Sequence, residues 1–276
     1  MMVTLTAFAD EISSDLTEQL DVLESTGIQH LEFRGVWNKN VLDLTDIELE
    51  KVRETIRARE FQVSAIGSPI GKILITDDFE THLTKFEHAI RVASHLDTKY
   101  IRIFSFFIPK GQKAEEYRNE VMNRLQELTH RASLSGITLL HENEKDIYGD
   151  ITERCLDIFK TCSSPNLRCA FDPANFVQCG VKPFTQAFPF LEPYCDYIHI
   201  KDALFEGNRV VPVGQGDGEV KEVLRAMLEK GYEGFLSIEP HLAQSRTFEG
   251  FSGPELFRVA TDALKDLLSE LGQSWK

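Results

Sequence analysis

The sequence predicts an α/β fold, a single (β/α)8 TIM barrel, on three observations. Short runs of β-branched and apolar residues alternate eight times with longer amphipathic segments, and no linker or low-complexity stretch interrupts them. Parallel strands joined by helices cross over in one hand, and eight such units close most economically on themselves. The length of 276 residues matches the roughly 250 that such a barrel needs, so residues 1–276 read as one barrel domain. A doubly wound open sheet is the alternative. It is disfavoured because no G-x-G-x-x-G follows the first run.

Taken in order, the first strand spans Val3 to Phe8 and leads to a helix with Leu16, Leu20 and Leu23 on one face, closed by Gly27. His30 to Phe33 is the second strand, followed after a loop by a helix bearing Ile47, Val52 and Ile56. Gln62 to Ile66 precedes a Gly- and Pro-containing loop and a long helix with Phe79, Leu83, Phe86 and Ile90. Tyr100 to Phe106 leads to a helix with Val121, Leu125 and Leu128. The second half repeats the rhythm. Thr138 to His141 is followed by a helix over Thr152 to Lys160, and Arg168 to Phe171 by a shorter helix after Pro183. Tyr197 to Ile200 precedes a helix over Val220 to Glu229, and Phe235 to Ile238 precedes the last, over Pro254 to Leu271.

Composition narrows the setting. With 42% hydrophobic and 27% charged residues, the chain reads as an ordinary soluble protein. No apolar run approaches the roughly 18 residues that cross a bilayer, and Met-Met-Val-Thr-Leu-Thr has no basic region ahead of an apolar core. Five cysteines, Cys155, Cys162, Cys169, Cys179 and Cys195, include no C-x-x-C pair, which favours reduced thiols and a cytoplasmic location. Lys plus Arg number 30 against 44 Asp plus Glu, a net charge of -14 that argues against nucleic acid or a membrane surface as partner.

In a barrel the strand C-termini converge on one mouth, and catalytic residues come from several strands. Here strand five ends in Glu142, strand six in Asp172, strand seven carries His199 and strand eight ends in Glu239. Three carboxylates and an imidazole from successive strands suit Mn²⁺, Mg²⁺ or Co²⁺; a sulfur-free set with so much carboxylate is less typical of structural zinc. Without a cation, such carboxylates raise one another's pKa. Three of them also have an ordinary reading: Glu142 as a solvated strand end, with Glu144 of the same parity able to take its place, Asp172 as a turn former before Pro173, and His199 as a core histidine. Their coincidence at four consecutive strand ends favours a shared ion.

The motifs His141-Glu142-Asn143-Glu144, Phe171-Asp172-Pro173-Ala174-Asn175-Phe176, Tyr197-Ile198-His199-Ile200-Lys201-Asp202 and Leu236-Ser237-Ile238-Glu239-Pro240 carry a resemblance that covers essentially the whole chain. The sequence resembles the xylose-isomerase-like TIM barrels, sugar phosphate isomerases and epimerases that include ketose 3-epimerases and inosose isomerases. The resemblance implies that Glu142, Asp172, His199 and Glu239 bind one divalent metal, often manganese, that Glu142 and Glu239 double as acid and base, and that the chain forms a homo-oligomer. Arg209, ahead of Val210-Val211-Pro212-Val213-Gly214-Gln215-Gly216, is similar to the arginine after strand seven that grips substrate hydroxyls in ketose 3-epimerases, with two additional residues before the glycine. Asn175 stands where those epimerases carry a substrate-binding histidine, and Lys201 and Asp202 replace the residues after the metal histidine. Arg209, Asn175 and Lys201 are the expected substrate contacts, and these departures leave the choice of sugar open.

With a carbonyl and its neighbouring hydroxyl on the cation, loss of an adjacent proton gives a stabilised enediolate. Two glutamates on opposite sides of the sugar would invert a stereocentre, and one glutamate returning the proton to the next carbon would interconvert aldose and ketose. The expected activity is therefore a divalent-metal-dependent isomerase or epimerase of a keto-sugar or related polyol. A metal-dependent lyase or dehydratase of a keto-sugar, inosose or keto-glycoside would use the same ligands and expel a β leaving group. An endonuclease IV type of repair enzyme needs more strand-end histidines than eight His in the chain supply, and the charge opposes DNA.

Four further features fall near the mouth. Arg102 is a lone charge in an apolar strand and needs Glu32, Glu142 or a ligand as partner. Gly67-Ser68-Pro69-Ile70-Gly71-Lys72 is either a plain turn or a source of backbone donors. Gly214, Gly216 and Gly218 occupy a region that often cradles phosphate in barrels, but no basic cluster accompanies them, so no phosphorylated substrate is inferred. Trp37 and Phe107 are candidate rim aromatics.

Overall fold

The computed structural model describes residues 2–242 and 252–276. Eight parallel strands form the barrel: β1 (Met2–Ala7), β2 (His30–Phe33), β3 (Gln62–Ile66), β4 (Tyr100–Ile103), β5 (Thr138–Glu142), β6 (Leu167–Phe171), β7 (Cys195–Ile200) and β8 (Phe235–Ile238). Each pairs with the next from β2 to β8, and β8 pairs with β1. The parallel bridge Phe8–Glu32 closes β1 on β2. A short ninth strand, Ser274–Trp275, runs parallel beside the beginning of β1, so β1 and β2 meet only beyond it.

Helices cover the outside: α1 (Leu16–Ser25), α2 (Asp46–Ala58), α3 (Phe79–His95), α4 (Ala114–Leu134), α5 (Thr152–Cys162), α6 (Pro173–Gln178), α7 (Phe188–Leu191), α8 (Val220–Glu229) and α9 (Gly253–Glu270). Side chains satisfy the first amides of several. Asp15 accepts from Glu18 N at the start of α1, Asp78 from Thr81 N at the start of α3, and Thr45 with Glu48 makes a capping box on α2.

Three local expectations need correction. On α2 the buried face is Leu49, Val52 and Ile56, whereas Ile47 is 84% exposed; two residues back from Leu49 is about 200° around a helix. Strand β4 stops at Ile103 rather than running to Phe106: Phe104 N donates to Ile70 O in the loop after β3 at 2.8 Å, and Phe106 sits at φ +66°, outside extended geometry. Beyond β6 the chain enters α6 at once, with Asp172 as its cap and Pro173 in its first turn, before the expected segment after Pro183. That segment is one π turn, Pro183–Ala187, running into α7.

Strand alternation divides the interior in two. Outward-facing Val3, Leu5, Phe33, Ile101, Ile103, Phe171, Ile198, Ile200 and Ile238 join the helices in the main core, while Ala65, Leu140, Ala170 and Tyr197 form a small apolar cluster of their own. The barrel interior is otherwise unusually polar, and its groups satisfy one another: Thr6 Oγ1 and Ser64 Oγ are 2.7 Å apart, and Ser64 Oγ and Tyr197 Oη 2.9 Å. Glu32, Arg102, Glu142, His199, Ser237 and Glu239 are all buried. Among the described residues, no helix is long and apolar enough to cross a membrane.

Candidate metal centre

Strand ends β5 to β8 deliver Glu142, Asp172, His199 and Glu239 to one rim. One donor atom from each lies within 4.8 Å of the other three, and all four residues are buried. Asp172 serves two purposes at once. Its Oδ1 accepts from Asn175 N at 2.8 Å, capping α6, while Oδ2 is left for the cluster. Asn143, next to Glu142, extends the β5–β6 pairing beyond the sheet: its Nδ2 donates to Asp172 O at 2.9 Å and its Oδ1 accepts from Asp172 N at 3.0 Å. Asn175 Nδ2 donates to Glu142 Oε1 at 3.0 Å and to Asn143 O at 2.9 Å. The carboxylates are thereby fixed by neighbours rather than free to swing.

The donor set fits a divalent cation. His199 Nδ1 lies 3.3 Å from Glu142 Oε1 and 3.9 Å from Asp172 Oδ2, yet neither ring nitrogen of His199 makes a hydrogen bond. Ligand atoms about 2.1 Å from an octahedral ion stand about 3–4 Å apart, so small adjustments would bring all four onto one cation.

The fold also supplies cations of its own, which the sequence reading did not foresee as a group. Lys201, two residues beyond His199 and of the same parity, places Nζ 2.8 Å from Asp172 Oδ2 and 2.8 Å from Glu239 Oε2. Arg34 spreads over three carboxylates: Nη1 to Glu239 Oε1 at 2.8 Å, Nε to Asp10 Oδ2 at 2.7 Å and Nη2 to Glu11 Oε1 at 2.8 Å. Arg102 Nη1 lies 3.1 Å from Glu142 Oε2, one of its two anticipated partners, and its guanidinium carbon is 4.9 Å from the ring centres of Phe8 and Phe104.

These contacts set the charge states. Burial pushes the Glu142 carboxyl up, but His199 and Arg102 outweigh it and hold it below the ordinary carboxylate range. For Glu239 the same penalty is overcome by Lys201, His241 and Arg34. Asp172 differs: burial prevails over Lys201, Glu142 and Glu239 add to it, and the carboxyl is pushed up to about 6. Repulsion among the carboxylates is thus relieved in part by protein cations before any metal is considered.

Other residues singled out from the sequence separate clearly. Glu144 pairs with Lys72 at 2.6 Å, so Glu142 is the one that joins the cluster. Lys201 and Asn175 both touch its ligands. Arg209 is exposed on the hairpin formed by Asp202–Ala203 and Val210–Val211. Asp202 turns its carboxylate into the glycine loop and accepts from Gly214 N, Gly216 N and Gly218 N at 2.9, 3.1 and 2.8 Å. A Cβ on Gly216 would stand 2.2 Å from Asp202 Oδ1. The amides of this glycine loop therefore hold an internal carboxylate rather than a phosphate. Gly67 to Lys72 is a packed turn, in which a Cβ on Gly71 would meet Phe104 O at 2.0 Å. Trp37 lies under Lys51, with Nζ 5.2 Å from its ring, and Phe107 is half-buried.

Sequence reasoning missed Arg34 and the role of Asn143, and named Glu32 only as a partner for Arg102. The parity test applied to the second half of the chain, extended to the end of β2, picks out Glu32 and Arg34 as a polar pair two residues apart.

A profile described as xylose isomerase-like TIM barrel matches residues 20–267. A curated relative, an uncharacterized protein of Methanocaldococcus jannaschii, is 26% identical over 157 residues, 55% of this chain and 54% of that protein, so the chain spans about half the length of that relative. A solved D-tagatose 3-epimerase-like protein superposes with a TM-score of 0.77 at 18% identity over 98% of each chain. The probable 3-DHS dehydratase AsbF of Bacillus anthracis, involved in petrobactin synthesis, gives 0.74 at 19% identity over 96% of this chain and 99% of that one. An IOLI protein with a bound zinc atom gives 0.76 at 18% identity over 98% and 99%. At such identities the likeness is one of fold.

Proposed function

The chain belongs to the xylose isomerase-like TIM barrel family, and from that premise we propose that it is a divalent-metal-dependent isomerase or epimerase of a keto-sugar or related polyol. The observation that carries this reading is the buried quartet Glu142, Asp172, His199 and Glu239, with donor atoms within 4.8 Å of one another. A divalent ion held there, Mn²⁺ by preference or else Mg²⁺ or Co²⁺, supplies polarisation of a carbonyl and offsets charge on its oxygen as the neighbouring C–H proton leaves.

The chain's own groups do the rest. Glu142 and Glu239 approach from β5 and β8, three strands apart, and act as the acid and base pair on a substrate between them. His199 and Arg102 beside Glu142, and Lys201, His241 and Arg34 beside Glu239, keep both carboxylates ionised near neutral pH, so either can take the substrate's proton. Lys201 Nζ donates to Glu239 Oε2 at 2.8 Å and fixes the orientation of that carboxylate. Asn175 spends its amide nitrogen on Glu142 and Asn143 and keeps Oδ1 for a substrate hydroxyl. Arg209, on the hairpin after β7, meets hydroxyls from the solvent side. The partner is a small carbohydrate rather than nucleic acid or membrane.

The test is a set of ketoses and inososes incubated with the protein and Mn²⁺ in D2O and followed by NMR. Deuterium should enter the carbon next to the carbonyl with no hydroxyl lost. Absence of exchange across the set, with metal bound, would remove the reading. Lys201 favours one second reading, a lyase or dehydratase, because an ammonium beside Glu239 can protonate a departing β-hydroxyl. Loss of water with a new vinyl signal would identify it.

A further inference from the structure

We infer that Glu32 is a positioning residue of this centre: its carboxylate holds the His199 ring so that Nδ1, not Nε2, is offered to a divalent cation. The inference rests on the metal reading of the quartet and adds a residue from the opposite side of the barrel.

His199 is fully buried, and its two nitrogens face different carboxylates. Nδ1 looks toward Glu142 Oε1 and Asp172 Oδ2, and Nε2 lies 3.2 Å from Glu32 Oε2, within ion-pair range though not aligned as a hydrogen bond. The ring is held edge-on by Phe8, with ring centres 5.3 Å apart at 74°, and by Tyr197, at 5.8 Å and 86°. Rotation that would exchange its nitrogens is therefore obstructed on two sides.

Glu32 is 0% exposed, and Oε2 is fixed by Ser237 Oγ, which donates to it at 2.7 Å. Ser237 lies directly opposite His199 in the β7–β8 register. Glu32 also forms the single bridge to Phe8 that closes the barrel. A carboxylate in such a place is costly to bury, and a neutral residue of the same shape would hold the seam without that cost.

What the carboxylate adds is directionality. Neutral imidazole carries one N–H and one lone pair, and an ionised carboxylate can only accept. Facing Nε2, Glu32 assigns the proton to that nitrogen and leaves the lone pair on Nδ1, toward the other ligands. A glutamine there has an amide that can turn either way. With its NH2 toward Nε2, the proton moves to Nδ1 and closes the ring to a cation.

The experiment compares the full-length protein with Glu32→Gln and Glu32→Asp, using Mn²⁺ titrations by calorimetry and melting curves in EDTA. Glu32→Gln should weaken Mn²⁺ binding by about 10–100-fold while the metal-free melting temperature and far-UV circular dichroism stay near wild type. Glu32→Asp should fall between the two. In ¹⁵N-histidine NMR of the zinc-loaded wild type, Nε2 should carry the proton and Nδ1 the metal. Unchanged Mn²⁺ affinity in a folded Glu32→Gln protein, or a wild-type spectrum with Nε2 on the metal, overturns the inference. The wild-type spectrum decides the matter even if the variant fails to fold. If wild type binds no divalent ion, the metal reading falls as well; if it binds and Glu32→Gln binds equally, only the role of Glu32 is lost.

Discussion

Lys201 Nζ stands 2.8 Å from Asp172 Oδ2, inside the cluster of groups that would hold a cation. The same ammonium is 2.8 Å from Glu239 Oε2. Ammonium and metal ion therefore compete for the same oxygens, and each can stabilise the pair in the absence of the other. Lys201→Met should destabilise the metal-free protein by about 3–5 kcal/mol, because buried Asp172 loses its ammonium and Glu239 keeps only Arg34 beside it. With saturating Mn²⁺ the loss should shrink. Urea unfolding with EDTA and with Mn²⁺ measures both, and an equal loss in the two conditions would show that lysine and metal do not share these oxygens.

Arg34 makes a different kind of contact. One guanidinium reaches Asp10, Glu11 and Glu239 through three separate nitrogens. Arg34→Ala takes a charged partner from Glu239, which keeps Lys201, and from Glu11, both buried, and should cost about 3–5 kcal/mol. Arg34→Lys should recover only part of this, since one ammonium cannot reproduce the planar fork. Chemical denaturation midpoints of the three proteins check the order.

Glu239→Gln keeps the side-chain volume beside Lys201 and Arg34 but removes the base. Hydrogen exchange at substrate carbon should drop by roughly 100-fold or more, with circular dichroism unchanged. Exchange that continues at the wild-type rate would take Glu239 out of the chemistry.

The parts of this arrangement legible in the sequence share a physical cause. Helix α8, Val220–Glu229, and strands β2, β3 and β8 appear at the expected residues because their apolar periods are strong and their ends are marked. Six-residue α6 is too short to show a helical period, and Phe104 to Phe106 continues an apolar run past the point where Phe106 turns left-handed. Within the site, Glu142, Asp172, His199 and Glu239 stand out as polar strand ends after apolar runs. Arg34 does not, since its contact with Glu239 spans 205 residues and depends on barrel closure. Lys201 was expected to face substrate, and only the register of β6 and β8 on either side of β7 shows it between two ligands.

The pH dependence of stability should be governed in part by a histidine outside the quartet. His82 on α3 is buried, and its Nε2 accepts from Gly71 N at 2.8 Å, pinning the turn after β3. Burial, with Lys85 and Arg124 adding to it, pushes the His82 pKa down to about 4; His141 is also pushed down to about 4 by burial. In the unfolded chain each histidine takes up its proton near 6.5. Between these values the unfolded state binds more protons than the folded one, so stability present above pH 6.5 is lost as pH falls toward 4. For His82 alone the loss is on the order of 2–3 kcal/mol. His82→Gln retains an acceptor for the Gly71 amide and does not titrate in this window. Unfolding free energies of the two proteins, measured in EDTA from pH 7 to pH 4, should therefore diverge, with wild type declining more steeply. Because both carry the same carboxylate cluster, its titration cancels in the difference, and a difference that stays flat across this range would show that the Gly71 contact does not require a neutral imidazole.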